Sequence, residues 1–143
     1  MRERIKEEIK FSYMIMDELY TFVGKKSYKY YIWTSIGITF TGRKYYFYHL
    51  SKKKTNKELF NFNLDLPKVE KVYSDENFSY RNIYGDKAIQ KKSAITNIIE
   101  NLNSQLRDKI SYLVRRTKAH AKSPLWLDYR LALFFTSKNI RVY

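Results

Sequence analysis

The first long apolar run spans residues 11–23, and both of its alternating sets are mostly nonpolar. Met14, Met16, Tyr20 and Phe22 fall on one side, and Ile15, Asp17, Leu19 and Val23 on the other. A period of two predicts a strand, and two apolar faces predict a strand covered on both sides, as at the centre of a sheet. Gly24 to Ser27 predicts a turn. Residues 28–40 form a second run of β-branched and aromatic side chains. Thr41, Gly42 and Arg43 are a hairpin signal leading to a third strand over 44–50. Three strands joined in this way make an antiparallel meander.

After Ser51, Lys52, Lys53 and Lys54 the pattern turns helical. Thr55, with Glu58 three positions on, fits a capping box and predicts a helix over about 55–62. Pro67 breaks the chain before a fourth strand, 69–74. Residues 76–86 read as a loop or short helix, and 88–90 as a short fifth strand. Ser93 opens a long helix reaching about His120, on which Ile95, Ile99, Leu102, Leu106, Ile110 and Leu113 recur at steps of three and four. Ser123 and Pro124 open a last apolar helix, roughly 125–135. This order predicts an α/β fold: a mixed sheet, made of the meander plus one or two further strands, with helices on its faces. Residues 1–10 are charged almost throughout and read as a short helix or linker, leaving 11–143 as the folded domain.

Composition adds a partner to this picture. The chain carries 28 Lys and Arg against 14 Asp and Glu, a net charge of +14. Such a balance favours a polyanion such as nucleic acid, although a lysine-rich surface is also ordinary in itself. The 44% apolar content supports a folded core rather than disorder. Cysteine is absent, which excludes disulfides and cysteine-based zinc sites and is compatible with a reducing compartment. His49 and His120 have no metal-ligand spacing. No apolar stretch approaches the roughly 18 residues of a membrane span, and the charged N-terminus lacks a signal-peptide segment.

Against this basic background three acids stand out. Asp17 interrupts an apolar strand, where carboxylates are seldom placed without a partner. Its neighbour Glu18 points to the other face of the strand. Asp75 closes the fourth strand, a place where loop-capping aspartates are also common. Glu100 lies on the long helix, on a polar face with Asn97, Ser104, Arg107 and Ser111. Glu100 and Arg107 are two turns apart, about 10 Å along the axis. A carboxylate and a guanidinium in line can hold a metal and a neighbouring phosphate; the same spacing also fits a solvated helix face. Asp65, Glu70, Asp86 and Asp128 have no comparable context.

The segment from Met16, Asp17 and Glu18 through Phe22 and Gly24 to Lys26 resembles the first catalytic motif of DDE transposases of the insertion-sequence-one family. Tyr73, Ser74 and Asp75, followed by Tyr80, resemble the second. Thr96, Asn97, Glu100, Asn101, Asn103, Leu106 and Arg107, followed by Leu113, Arg116, Thr117, Ala121 and Ser123, resemble the third with its flanking helix. The resemblance covers about residues 13–137, and the glutamate block is its most specific part.

The resemblance implies a ribonuclease-H-like catalytic core with two Mg²⁺ or Mn²⁺ ions, cutting and joining DNA at transposon ends. It makes Asp17, Asp75 and Glu100 metal ligands, with Arg107 at a basic position near the site. It further implies a homo-oligomer on DNA, in the cytoplasm of a prokaryote and associated with the nucleoid. Lys25, Lys26, Lys52, Lys53, Lys54, Lys91, Lys92, Arg115, Arg116, Lys118 and Lys122 are candidates for phosphate contacts. The family commonly carries an N-terminal zinc-binding and helix-turn-helix region, and nothing matching it precedes the first strand here. The expectation is therefore a catalytic half, paired with a separate end-recognition protein or an upstream reading-frame product. A non-catalytic nucleic-acid-binding module and a nuclease or resolvase without a joining step are the alternatives on the same fold.

Overall fold

The computed structural model describes residues 10–23, 25–75, 78–90, 95–117 and 124–140. Five strands form one sheet: β1 (Phe11–Val23), β2 (Lys25–Thr39), β3 (Lys44–Ser51), β4 (Lys71–Tyr73) and β5 (Ala88–Ile89). Their spatial order is β3-β2-β1-β4-β5, so β1 is central, as its two apolar faces require. β1, β2 and β3 are the antiparallel meander, while β4 runs parallel to β1 and β5 parallel to β4. The helices are α1 (Asn56–Leu64), α2 (Phe78–Tyr84), α3 (Thr96–Thr117) and α4 (Pro124–Ile140), with a 3₁₀ turn at Gly85–Lys87. This is a mixed α/β fold of the ribonuclease-H-like kind.

The strand pleat sorts the core into two layers. On one face Ile15 and Leu19 of β1 and Ile32, Ile36 and Ile38 of β2 pack against Ile99, Leu102 and Leu106 of α3 and Leu127, Leu131 and Phe135 of α4. On the other face Met14, Met16, Trp33, Tyr45 and Phe47 meet Leu59 and Phe62 of α1 and Tyr80 of α2. Phe11 joins this second layer despite its odd number, because the β1–β2 register shifts between Phe11 and Tyr13. A bulge moves every residue before it to the opposite face. The Phe11 ring lies across Gly37, where an added Cβ would fall 2.8 Å from the ring. A glycine in the middle of β2 is thus a packing requirement.

Several boundaries differ from expectation. The turn expected at 24–27 is tighter, since β2 already begins at Lys25, which pairs with Val23. The fourth strand is shorter than 69–74. Val69 is buried in the core, yet ladder pairing holds only at Lys71–Tyr73. α1 has Thr55 as N-cap, accepting from the Glu58 N–H at 3.4 Å. The Glu58 carboxylate meets His49 at 3.0 Å. The last helix runs five residues past the expected Phe135, to Ile140, and anchors there: Asn139 accepts from the Tyr46 N–H (2.7 Å) and donates to its carbonyl (2.9 Å). The expected N-terminal helix or linker falls outside the described residues apart from Lys10. No helix among the described residues is long and apolar enough to cross a membrane.

Candidate active site

The site forms where β1 outruns its parallel neighbour. The last pair between β1 and β4 is Ile15 with Tyr73. Two residues on from that pair stand Asp17, still within β1, and Asp75, just past the end of β4. In sheets with parallel strands the carboxyl ends are where backbone pairing stops and ligand crevices open. Buried Ser74 fixes the approach, its N–H donating to the Ile89 carbonyl (3.1 Å) and its hydroxyl to the Asp75 carbonyl (3.0 Å). The Gln90 amide donates to the same Asp75 carbonyl at 3.0 Å.

α3 roofs this end of the sheet. Asp17, Asp75 and Glu100 all line one cavity of about 310 Å³, together with Met16, Ser74, Gln90, Thr96 and Ile99. Within it, one oxygen each of Asp17, Glu18 and Asp75 lie within 4.8 Å of one another. Glu100 is on the cavity wall but outside that closest group, and its side chain is exposed. A larger cavity, about 960 Å³, opens beside α1 and α2, lined mainly by apolar side chains with Lys10, Lys68 and Lys87. Glu70 is the one acid among its lining residues, so it offers no oxygen cluster.

Asp17 is the strained member. Burial raises its pKa from 3.8 to about 6, and the charges of Glu18 and Asp75 push the same way. The Glu18 N–H (2.8 Å to Oδ1) and the Asn103 amide (2.9 Å to Oδ2) act in the opposite direction without overcoming burial. Glu18 is settled differently. Its side chain, on the opposite face of β1, has 7% of its surface exposed, and Lys54 Nζ sits 2.7 Å from Oε1. The Tyr80 hydroxyl donates to Oε2. Burial opposes the charged form of Lys54, but Glu18 and then Asp75 outweigh it and hold the ammonium above its usual range. Burial, reinforced by Glu18, Asp17 and Asp75, drives the Tyr80 phenol well up, so it stays a donor.

Of the other expected residues, Arg107 is exposed on α3 and does not line the cavity. Lys53 is exposed on the β3–α1 connection with Lys52 and Lys54. The backbone there is pinned by Ser51, whose hydroxyl accepts from the Trp33 indole (2.9 Å) and donates to the Lys53 carbonyl (2.8 Å). Lys25 and Lys26 begin β2, and Arg115 and Arg116 lie near the end of α3, with side chains outside the described set. Lys91, Lys92, Lys118 and Lys122 lie outside the described residues altogether.

Asn103, buried on the apolar side of α3, lies off the polar face that carries Glu100, and Lys54, a phosphate candidate by charge, is the partner of Glu18. For Asn103 the signal was present, an amide four residues after Ile99 and three before Leu106, inside the core stripe.

Carboxylates thus gather at one end of the sheet beside a helix that carries a further glutamate. A family model described as IS1 transposase matches residues 12–140. The chain belongs to the IS1 transposase family. No curated protein matches it in a sequence comparison. As a transposase domain it acts on DNA, and its net charge of +14 suits that substrate.

Proposed function

We propose that this transposase domain performs metal-dependent cleavage and strand transfer of DNA, with Asp17, Asp75 and Glu100 as its metal-holding acids. The observation that carries this is the cavity the three share, with Asp17 held there at a raised pKa by burial and by its acidic neighbours. All donors are carboxylate oxygens, the kind that hard divalent ions such as Mg²⁺ and Mn²⁺ take. Negative charge gathered in a partly buried pocket is stabilised by a bound cation. The donor set therefore fits the group the family implies. When bound, such ions lower the pKa of an attacking hydroxyl or water and polarise the phosphoryl oxygens.

The protein's own residues provide position and charge. Asp17 on β1 and Asp75 just past the end of β4 fix the base of the pocket, and Glu100 closes it from α3. A DNA phosphodiester lying in the opening would be attacked by water in cleavage, or by a DNA 3′-hydroxyl in joining. One P–O bond forms as the bond to the leaving oxygen breaks; the attacking oxygen loses its proton and the leaving oxygen gains one. Lys52 and Lys53, exposed on a pinned loop, supply backbone contacts that set affinity without reading sequence. Arg107 would meet DNA outside the cavity.

The test is a purified chain incubated with labelled duplex and Mg²⁺ or Mn²⁺. Metal-dependent nicking and joined products are expected, and both should vanish in Asp17→Asn. DNA binding without any nicking would leave a non-catalytic module, and nicking without joined product would leave a nuclease. Replacing Lys52 and Lys53 with Ala should weaken binding and flatten the dependence of log K on log salt, by about 0.9 for each phosphate that is no longer neutralised.

A further inference from the structure

We infer that Asn103 is a positioning residue for the site, locking the Asp17 carboxylate through a buried Thr34–Asn103–Asp17 chain. This rests on the metal-binding role proposed above for Asp17.

The inward face of α3 is otherwise apolar, with Ile99, Leu102 and Leu106 all buried in one layer. Asn103 interrupts it at 1% exposure, and Thr34, facing it from β2, is 0% exposed. A buried amide is costly unless both of its ends are paired. Here both ends are used. Asn103 Nδ2 donates to Asp17 Oδ2 at 2.9 Å, and Asn103 Oδ1 accepts from the Thr34 hydroxyl at 2.9 Å. The Thr34 oxygen also lies 3.2 Å from the Asp17 carbonyl; its single proton favours the shorter contact. The amide orientation follows from chemistry, because an ionised carboxylate only accepts and so takes the NH₂ side.

The donors are also neutral. Each Asp17 oxygen receives one neutral N–H, Oδ1 from the Glu18 backbone and Oδ2 from Asn103. A carboxylate oxygen has room for more than one partner. The chain therefore fixes the rotamer while leaving the negative charge and further lone pairs for the cavity. A lysine at 103 would fix the same rotamer and cancel the charge. Groups that orient a metal ligand in this way act on affinity, typically about 10- to 100-fold.

The experiment measures Mn²⁺ affinity by titration calorimetry on the folded chain, with metal-free melting in parallel. Asn103→Leu is the main variant, since leucine is close in shape and continues the apolar stripe of α3. Thr34→Val and Thr34→Ser form a second pair, one removing the hydroxyl and one keeping it. The expected result is about 10- to 100-fold weaker Mn²⁺ binding in Asn103→Leu. A smaller loss is expected in Thr34→Val, with Thr34→Ser near the parent. Parent-like affinity in Asn103→Leu, whatever its melting temperature, would make Asn103 a packing residue and overturn the proposal. Should that variant not fold, parent-like affinity in Thr34→Val would do the same. Failure of the parent to bind Mn²⁺, or equal binding by Asp17→Asn, would instead overturn the metal site itself.

Discussion

Asp17 and Glu18 are consecutive carboxylates on one strand, and the protein treats them in opposite ways. Glu18 faces the layer of α1 and α2, where an ammonium and a phenol engage its two oxygens. Asp17 faces α3, where its contacts are neutral amides and its charged neighbours Glu18 and Asp75 are acids. A nearly buried carboxylate with its own cation is a structural ion pair. A partly buried carboxylate held only by neutral donors beside other acids keeps its charge unneutralised by its own contacts, the setting that the proposed metal role of Asp17 requires.

The largest effect that can break this contrast is on activity. Asp17→Asn and Asp75→Asn should each reduce metal-dependent DNA cleavage by at least about 100-fold, beyond what loss of a merely supporting group costs. Glu18→Gln should reduce it less. Equal losses at positions 17 and 18, read in the same gel assay, would erase the distinction.

Next in size is the pH dependence of stability without metal. The folded pKa of Asp17 lies near 6, above its ordinary value of 3.8. The native state therefore holds this proton more tightly than the unfolded chain does. Its share of stability is fully present below about pH 4 and is lost as pH rises through about 6. The loss is at most about 3 kcal/mol, and less with solvent screening. Urea melts across this range should show the fall in the parent and a flatter profile in Asp17→Asn.

On the other face, Tyr80→Phe removes a donor from a nearly buried carboxylate. It should cost about 1.5–3 kcal/mol in urea unfolding and leave Mn²⁺ affinity near the parent's. A large drop in metal affinity would mean that the two faces work as one site. Smallest is Thr55→Ala, which removes the cap of α1, the helix beneath the Glu18 layer. The contact is long at 3.4 Å, so about 0.5–1 kcal/mol is expected in the same unfolding experiment.

Much of this was legible in the residues. Apolar side chains on both faces of 11–23 identified the central strand, and the three- and four-step stripe identified α3. Asp17 drew notice because an acid inside such a strand needs a reason. Other features depend on contacts distant in sequence. Glu58 completes a capping-box pattern, yet its carboxylate meets His49 across the α1–β3 contact. Glu18 does lie on the opposite face, as alternation requires. That its oxygen still approaches those of Asp17 and Asp75 follows from where β1–β4 pairing ends, which no local pattern encodes. Asn103 is buried off the polar face of α3, so a periodicity that separates polar from apolar positions does not single it out. The long turn expected at 24–27 was over-extended because Gly24 and polar neighbours outweighed the pairing of Lys25 with Val23.

The central claim is that unspent negative charge around Asp17 is there to be met by a divalent cation. Thermal melting at pH 7.5, with and without Mn²⁺, tests it on the parent and on Asp17→Asn. The account predicts a metal-free midpoint higher in Asp17→Asn than in the parent. It also predicts that Mn²⁺ at about a hundredfold excess over Kd stabilises the parent by about 2.7 kcal/mol and leaves the variant almost unmoved. A parent midpoint indifferent to Mn²⁺ and equal to that of Asp17→Asn would contradict it.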